Sequence, residues 1–328
     1  MEDKKCLQTL CALRRGVLGV GRKVLGYGRR GALGRKVVGY GRLGAALIIA
    51  IATLAWASGA AASTCKAIHV FKGTDGAHPY AGLIFDAAGN LYGTTSGGGA
   101  HKRGAVFKLA PNPDGTWTES VLYSFRGGVD GWAPYAGLVF DAAGNLYGTG
   151  QNGGANGSGV VFKLAPNPDG TWTESVLHSF AYTDGSFPAG LIFDAAGNLY
   201  GTTLQGGAAA GYGVVFKLKP NPDGTWTESV LHAFTGGADG SLLYAGLTLR
   251  AGALYGTTYE GGDCSGFGCG VVFKLTPSSS GWSETVLHTF LGFGENPAAP
   301  VIFDPAGNLY GTTTDGSTNK GLVFKLTP

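Results

Sequence analysis

Five acidic residues occupy one position of a sequence unit that recurs along this chain, and their carboxylates are its clearest candidates for chemistry. They are Asp75, Asp130, Asp184, Asp239 and Glu295. Carboxylates gathered around one axis are able to hold Ca²⁺, or to act as acid and base in glycoside hydrolysis if two of them stand at a fixed separation. Four of the five precede glycine, which is also the composition of a simple Asp-Gly turn. Binding and turn formation both stay open as interpretations.

Aromatic residues lie in the same loops and offer a second kind of binding surface. We single out Trp132, Phe187 and Tyr259; Tyr212, Phe267 and Phe293 also occur in these loops. Exposed aromatic rings stack on sugars or anchor a protein partner. The alternative is that these rings fill gaps between neighbouring sheets. The five acidic residues and the first three aromatic residues form the predicted ligand-binding set.

Covalent catalysis has no sequence signature in this chain. A Gly-x-Ser-x-Gly nucleophile motif is absent from the sequence, so we predict no catalytic residue and no enzymatic activity. Cys264 and Cys269 lie in one glycine-rich loop, where a local disulfide is expected in an exported protein. A metal pair is the weaker interpretation, because no second Cys or His pair accompanies them. We expect no cofactor, although the acidic residues are able to hold Ca²⁺.

A repeat of 53 to 55 residues positions these side chains. It is marked by the turn glycines Gly89, Gly144, Gly197, Gly252 and Gly307. Glycine is abundant, at 60 residues, but lacks the three-residue period of collagen. A period of this length, with strand-like segments inside it, is typical of architectures in which each unit packs against its neighbours.

Each repeat contains four segments with the composition of β-strands. In the first copy these are 81–85, 91–95, 104–109 and 116–125. An Asp-Ala-Ala-Gly-Asn turn, a glycine-rich loop and a Pro-Asn-Pro-Asp-Gly turn separate them. Helical periodicity does not occur after residue 64. Four antiparallel strands repeated around an axis form a propeller blade, so the sequence predicts an all-β propeller.

The two ends of the repeat region complement each other. The fifth copy stops at Pro328, after its third strand, while residues 66–71 align with the fourth-strand segment 175–180. We therefore predict a five-bladed β-propeller of four-stranded antiparallel blades over residues 66–328. An N-terminal strand (66–72) would complete the last blade and remove an open sheet edge.

The loops of such a propeller emerge on two faces. The first hairpin turns are nearly constant among the first three copies, whereas the loops between the second and third strands differ in every copy. Because loops that carry function diverge while framework turns repeat, we place the ligand on the variable face. That face also includes the blade-to-blade connections, which carry the five acidic residues.

The recurring phrases F-D-A-A-G-N-L-Y-G-T-T, G-V-V-F-K-L and D-G-T-W-T-E-S-V-L-H-S-F resemble the GloVer tandem repeat of bacterial choice-of-anchor proteins. The resemblance covers residues 66–328. It implies an exported or surface-attached protein whose role is uncharacterised, with an anchor that varies between members. The D-x-x-G-N-L-Y hairpin is also similar, more loosely, to that of NHL-type propeller repeats. Since this chain ends on a strand, we expect any anchor at its N-terminal end.

The first 63 residues have a different composition. Residues 1–43 form a basic, glycine-rich leader that holds 11 of the 24 basic residues, and one hypothesis is that this leader is not translated. Residues 44–63 are apolar with a small-residue exit, which favours a signal peptide over an N-terminal membrane anchor. Residues 44–328 carry 13 basic and 19 acidic residues, a balance that argues against nucleic-acid binding.

These observations favour a secreted, periplasmic or cell-surface bacterial protein that is monomeric and touches a membrane only through its N-terminal segment. Its predicted role is a glycan- or protein-binding module. One alternative is a carbohydrate-active or lactone-hydrolysing enzyme that uses axial carboxylates. Another is a structural component of a surface layer or of adhesion.

Overall fold

The computed structural model describes residues 65–207, 211–262, 269–291, 296–315 and 320–328. The predicted leader (1–43) and the signal peptide or anchor (44–63) lie outside the described residues. Within the described residues, no helix has the length and the apolar character needed to cross a bilayer. Regular structure consists of antiparallel strands in five sheets, numbered here in chain order, with one short 3₁₀ helix at Gly128–Asp130. This confirms the prediction of an all-β repeat fold.

Each sheet is built from one sequence repeat. Sheet 1 comprises β1 (Ile84–Phe85), β2 (Leu91–Thr95), β3 (Ala105–Pro111) and β4 (Trp117–Ser124). Sheet 2 comprises β5 (Val139–Phe140), β6 (Leu146–Gly150), β7 (Val160–Pro166) and β8 (Trp172–Ser179). Sheet 3 comprises β9 (Ser186–Phe193), β10 (Leu199–Gln205), β11 (Val214–Pro220) and β12 (Trp226–Ala233). Sheet 4 comprises β13 (Thr248–Arg250), β14 (Ala253–Thr258), β15 (Val271–Ser278) and β16 (Gly281–Thr289). Sheet 5 comprises β17 (Ile302–Phe303), β18 (Leu309–Thr313) and β19 (Leu322–Leu326).

A single aspartate fixes the first hairpin in four of the five repeats; the fourth repeat has Arg250 at this position. In sheet 1, Asp86 Oδ1 accepts hydrogen bonds from the backbone N–H groups of Ala88 and Asn90, both at 2.9 Å. Its Oδ2 accepts from Asn90 Nδ2 at 2.7 Å and from the Tyr92 hydroxyl at 3.0 Å. Burial alone would raise the pKa of Asp86, but these hydrogen bonds outweigh it and hold the pKa below its usual range. The predicted turn chemistry of Asp-Ala-Ala-Gly-Asn is therefore confirmed.

The core lies between consecutive sheets. A phenylalanine just after the fourth strand packs edge-to-face on the phenylalanine in the third strand of the next sheet, as Phe125 does on Phe162 with ring centroids 5.1 Å apart. A tyrosine in the second strand packs in the same way on the first strand of the next sheet, as Tyr92 does on Phe140 at 5.1 Å. Both contacts join different repeats, so no sheet buries its core alone.

Glycine in the second strand permits this close packing. A Cβ on Gly201 would lie 2.5 Å from Cζ of Phe216 and 2.9 Å from Cδ2 of Leu191. The same ring approaches the corresponding glycine in every sheet, which explains why L-Y-G-T recurs.

The innermost strands of all five sheets meet around one cavity of about 350 Å³. Its wall is made of small and apolar residues such as Gly82, Gly137 and Pro300. Two of the innermost backbones approach so closely that a Cβ on Gly190 would lie 3.3 Å from the Cα of Gly246. Five repeated sheets around a shared axial cavity are the arrangement of a propeller-like fold.

The predicted fourth strand of the last blade is not confirmed. Residues 66–72 form no strand, and sheet 5 has three strands among the described residues. This segment has no backbone pairing with β19, and it contacts sheet 1 through side chains. Phe71 packs edge-to-face on Phe107 at 4.9 Å, and Lys66 Nζ donates to the Gly115 carbonyl at 3.2 Å. Phe71 thus packs on sheet 1 in the same way that Phe125 packs on sheet 2.

Candidate ligand-binding face

The blade-to-blade connections and the loops between second and third strands lie together. Short antiparallel bridges join Ala77 to Gly97 and Trp132 to Asn152, and a third joins Ser241 to Glu260. In each pair the first residue belongs to a connection and the second to the loop of the sheet that the connection enters. These bridges place the acidic and aromatic candidates on one face.

Each connection is also bound to the sheet that it leaves. The N–H of Ala133 donates to the Arg103 carbonyl at 2.9 Å, and the N–H of Phe187 donates to the Ser158 carbonyl at 3.0 Å. Ala133 and Phe187 both have φ of 56°, a left-handed conformation that is unfavourable for residues other than glycine. Such strain persists only where the surrounding contacts determine the backbone, so this face has a rigid main-chain frame.

The structure does not bring the predicted carboxylates to one another. Asp75 Oδ1 accepts from the Lys72 N–H at 2.7 Å, and Oδ2 lies 3.1 Å from His69 Nε2. Asp184 likewise accepts from the Ala181 N–H at 2.8 Å and lies 3.1 Å from His178. Each of these aspartates therefore closes its own connection and pairs with the histidine six residues before it.

The other acidic candidates follow the same pattern. Asp130 Oδ2 accepts from the Tyr123 hydroxyl at 2.9 Å and from the Arg126 N–H at 2.8 Å. Asp239 accepts from the N–H and the hydroxyl of Thr235 and lies 3.4 Å from His232. Glu295 lies outside the described residues. The Asp-Gly turn interpretation thus accounts for the position of every aspartate in the set.

Four glutamates on outer strands are functional candidates that the sequence did not reveal. They are Glu119, Glu174, Glu228 and Glu284. In each, Oε1 is buried and has no hydrogen-bond partner among the described residues. Burial and the charge of Asp130 raise the pKa of Glu174 to about 7, and burial and Asp184 do the same for Glu228. Each glutamate thus faces the aspartate of the connection that enters its sheet, although the surrounding sequence, T-W-T-E-S in the first three repeats, gives no sign of this.

The predicted aromatic residues are half-buried and make contacts between loops. The Arg103 guanidinium lies over the Trp132 ring, 4.8 Å from its centroid. Tyr259 packs edge-to-face on Tyr244 at 4.9 Å, and its carbonyl accepts from Asn296 Nδ2 at 2.7 Å. Phe187 is the second residue of strand β9 and has the left-handed conformation described above.

A more exposed aromatic group lies beside them, which we call the tyrosine platform: His78, Tyr80 and Tyr135. The Tyr80 and Tyr135 rings are stacked 5.3 Å apart, and His78 stacks on Tyr80 at 6.2 Å. Tyr80 is 68% exposed and Tyr135 is 42% exposed. Both tyrosines come two residues before a glycine that lines the axial cavity. The recurring P-Y-A-G-L was the available sequence signal.

The predicted Cys264–Cys269 disulfide stays a prediction. Cys264 lies outside the described residues, and Cys269 is buried, at 4% exposure.

These features define a repeat protein of the propeller-like class, with a main-chain hydrogen-bonded frame and a variable loop face. The chain belongs to the Gloeobacter/Verrucomicrobia repeat family, whose model matches residues 58–267 and again residues 175–328. The resemblance to GloVer repeats is thereby confirmed at the level of the family. A comparison with curated proteins gives no match.

Solved structures with a similar arrangement are distant in sequence. One is PorZ, a bacterial surface component of the type-IX secretion system of Porphyromonas gingivalis, at 16% identity and a TM-score of 0.46. The match covers 75% of this chain and 32% of PorZ, so this chain spans about a third of that protein's length. Another is an endo-arabinase from Bacteroides thetaiotaomicron, at 16% identity and a TM-score of 0.39, covering 80% of this chain and 98% of the enzyme.

Proposed function

We propose that this chain is an exported, non-enzymatic bacterial binding module whose loop face holds a glycan. The observation that carries the proposal is the tyrosine platform. The stacked Tyr80 and Tyr135, 68% and 42% exposed, present apolar ring surface and hydroxyl groups side by side. Sugars offer the same combination of apolar C–H faces and hydroxyls, and clustered exposed aromatics are typical of binding sites.

Charge favours a neutral or weakly polar ligand over a phosphate-rich one. The connections carry an aspartate in each of the first four repeats, and residues 44–328 have more acidic than basic residues. A glycan is bound by stacking and hydrogen bonds, whereas a nucleic acid needs a basic surface for its phosphates.

The hydrogen bonds made by the four aspartates support the proposal that the chain is not an enzyme. Asp75, Asp130, Asp184 and Asp239 each accept a hydrogen bond from a backbone N–H and lie beside a histidine or tyrosine ring. The axial cavity, where a glycoside would have to meet paired carboxylates, has a wall of glycine, alanine, leucine and similar residues.

We also infer that sheet 5 closes onto sheet 1 in the native ring. Phe85 is 66% exposed and Val323 is 77% exposed, whereas Val106 and Val161, at the position of Val323, are fully buried. Phe85 corresponds to Phe140, which receives Tyr92 of the preceding sheet. Closure would bury both apolar surfaces, and it would give residues 66–72 a strand partner in β19.

A glycan array probed with the full chain tests the proposed function. We expect binding to a set of polysaccharide fragments, and we expect Tyr80→Ala or Tyr135→Ala to weaken it by about tenfold, because each substitution removes a stacking face. The affinity for the best fragment should be measured by calorimetry.

The matched control is Tyr182→Ala, which removes an exposed tyrosine from another connection and should leave the affinity unchanged. Failure of the folded chain to bind any glycan, or equal affinity of the Tyr80→Ala variant and the unaltered chain, would contradict the proposal. Capture of a protein ligand without glycan binding would favour the protein-binding alternative instead.

A further inference from the structure

Three side chains that could share a metal ion meet where residues 66–76 lie against sheet 1. One ligand atom each from His69, Asp75 and Glu119 lies within 4.8 Å of the other two. His69 and Asp75 belong to the N-terminal segment, and Glu119 belongs to β4. His69 Nε2 and Asp75 Oδ2 are 3.1 Å apart.

The equivalent residues of later repeats provide an internal comparison. His178, Asp184 and Glu228 have the same side-chain types at the next His-containing junction, and His178 lies 3.1 Å from Asp184. Among the described residues, however, only the group at His69 satisfies the mutual 4.8 Å separation. What differs is the third side chain, so the pairing of histidine with aspartate does not by itself make a site.

Glu119 is the side chain that sets this group apart from its counterparts. Its Oε1 is buried and has no hydrogen-bond partner among the described residues, which is also true of Glu174, Glu228 and Glu284. Among the described residues, however, only Glu119 has a ligand atom within 4.8 Å of those of both a histidine and an aspartate. The separation of the three ligand atoms, rather than the unpartnered oxygen, therefore distinguishes this site.

We propose that His69, Asp75 and Glu119 bind a first-row divalent cation, with Zn²⁺ as the best fit. Two ligands about 2 Å from a tetrahedral zinc ion lie about 3.3 Å apart, close to the separation of His69 and Asp75. One imidazole and two carboxylates suit zinc and its neighbours, whereas Ca²⁺ requires six or more oxygens and Mg²⁺ keeps an octahedral shell of oxygens. The ion would take one carboxylate oxygen of Glu119 as its third protein ligand.

The remaining oxygen of Asp75 orients the site. Asp75 Oδ1 accepts the Lys72 N–H at 2.7 Å, which leaves Oδ2 directed at His69. A hydrogen bond to the second oxygen of a ligating carboxylate is a usual way of fixing its direction. The ion would then connect residues 66–75 to β4, so its role is to hold the N-terminal segment on sheet 1.

Calorimetry of the full chain, freed of metal with a chelator and titrated with ZnCl₂ near neutral pH, tests this proposal. We expect one zinc ion whose affinity falls at least about tenfold in His69→Gln and in Glu119→Gln. CaCl₂ and MgCl₂ should bind more weakly than ZnCl₂. Thermal melting should show a zinc-dependent rise in Tm that both variants lose while they stay folded without metal.

His178→Gln and Glu228→Gln are the matched controls and should retain the zinc affinity of the unaltered chain. The proposal fails if the metal-free chain takes up no zinc, or if His69→Gln and Glu119→Gln bind zinc as tightly as the unaltered chain does. The second result would assign the zinc to other groups, such as the exposed thiol of Cys65.

Discussion

Glu174 and Glu228 illustrate how a single side chain couples two repeats. Each lies on an outer strand and faces the aspartate of the preceding repeat, and each has a buried oxygen without a partner among the described residues. Their pKa values of about 7 lie above the ordinary glutamate value of 4.5. The folded chain therefore binds protons that the unfolded chain releases in the same pH range.

The contribution of these two residues to the free energy of unfolding should consequently fall as the pH rises from about 4.5 to about 7. Glutamine resembles the protonated form, so Glu174→Gln and Glu228→Gln should each stabilise the protein at about pH 8. We expect about 1 kcal/mol for each after discounting for partial exposure, and little change at about pH 5. Urea unfolding at the two pH values measures this difference.

Glu260→Gln, on a loop, is the control and should show no such dependence on pH. A variant at position 174 or 228 that is less stable than the unaltered chain at about pH 8 would show that the ionised carboxylate is stabilising after all. The sequence could not reveal these pairs, because Asp130 and Glu174 lie in different repeats. Nothing in T-W-T-E-S says which neighbour its glutamate will face.

At the scale of the strand, the sequence was most informative where one residue makes its contacts locally. The Asp-Ala-Ala-Gly-Asn turn follows from hydrogen bonds within five residues of Asp86, so its conformation could be predicted. The glycine of L-Y-G-T is different. In sheet 3, Phe216 of one neighbouring strand and Leu191 of the other leave no room for a side chain on Gly201. That requirement appears only when three strands are assembled.

Gly201→Ala should therefore destabilise sheet 3 strongly. The added methyl group would lie 2.5 Å from the Phe216 ring, and overpacking of a filled core costs about 1–3 kcal/mol. Urea unfolding of the full chain is the measurement.

Gly237→Ala is the comparison variant, since a Cβ there meets only Thr235 Oγ1, at 3.4 Å. It should change the free energy of unfolding by less than about 0.5 kcal/mol. Equal effects of the two substitutions would mean that the second-strand glycine is not required by packing.

At the scale of the whole repeat region, five copies in the sequence correspond to five sheets in the structure. The alignment of 66–71 with 175–180 correctly indicated a packing role, because Phe71 contacts Phe107 as Phe180 contacts Phe216. It did not establish a hydrogen-bonding partner. A repeated side-chain pattern reports which surface is apolar, whereas strand pairing also depends on how the two ends of the chain meet.

Closure of the ring can be tested by a disulfide between its ends. In sheet 2, Ser179 lies opposite Val160, and the corresponding residues at the junction are Val70 and Leu322. With Cys65 replaced by serine, Val70→Cys combined with Leu322→Cys should form a disulfide on mild oxidation, because opposed Cβ atoms lie about 5 Å apart. A shift in mobility on a non-reducing gel detects it.

The control pair is Val70→Cys with Val129→Cys, which joins the segment to an exposed position on another connection. It should stay reduced under the same conditions. Absence of the bond at 70 and 322 in a folded protein would mean that the two ends do not pair.

The hydrogen bonds of Ala133 and Phe187 to the preceding loop have a consequence for how this protein diversifies. They use only main-chain atoms, as do the bridges from the same connections to the following loop. The backbone course of each connection is thus independent of most side chains around it. Duplicated copies can then exchange or mutate whole loops separately, so new specificities can arise one repeat at a time on an inherited scaffold.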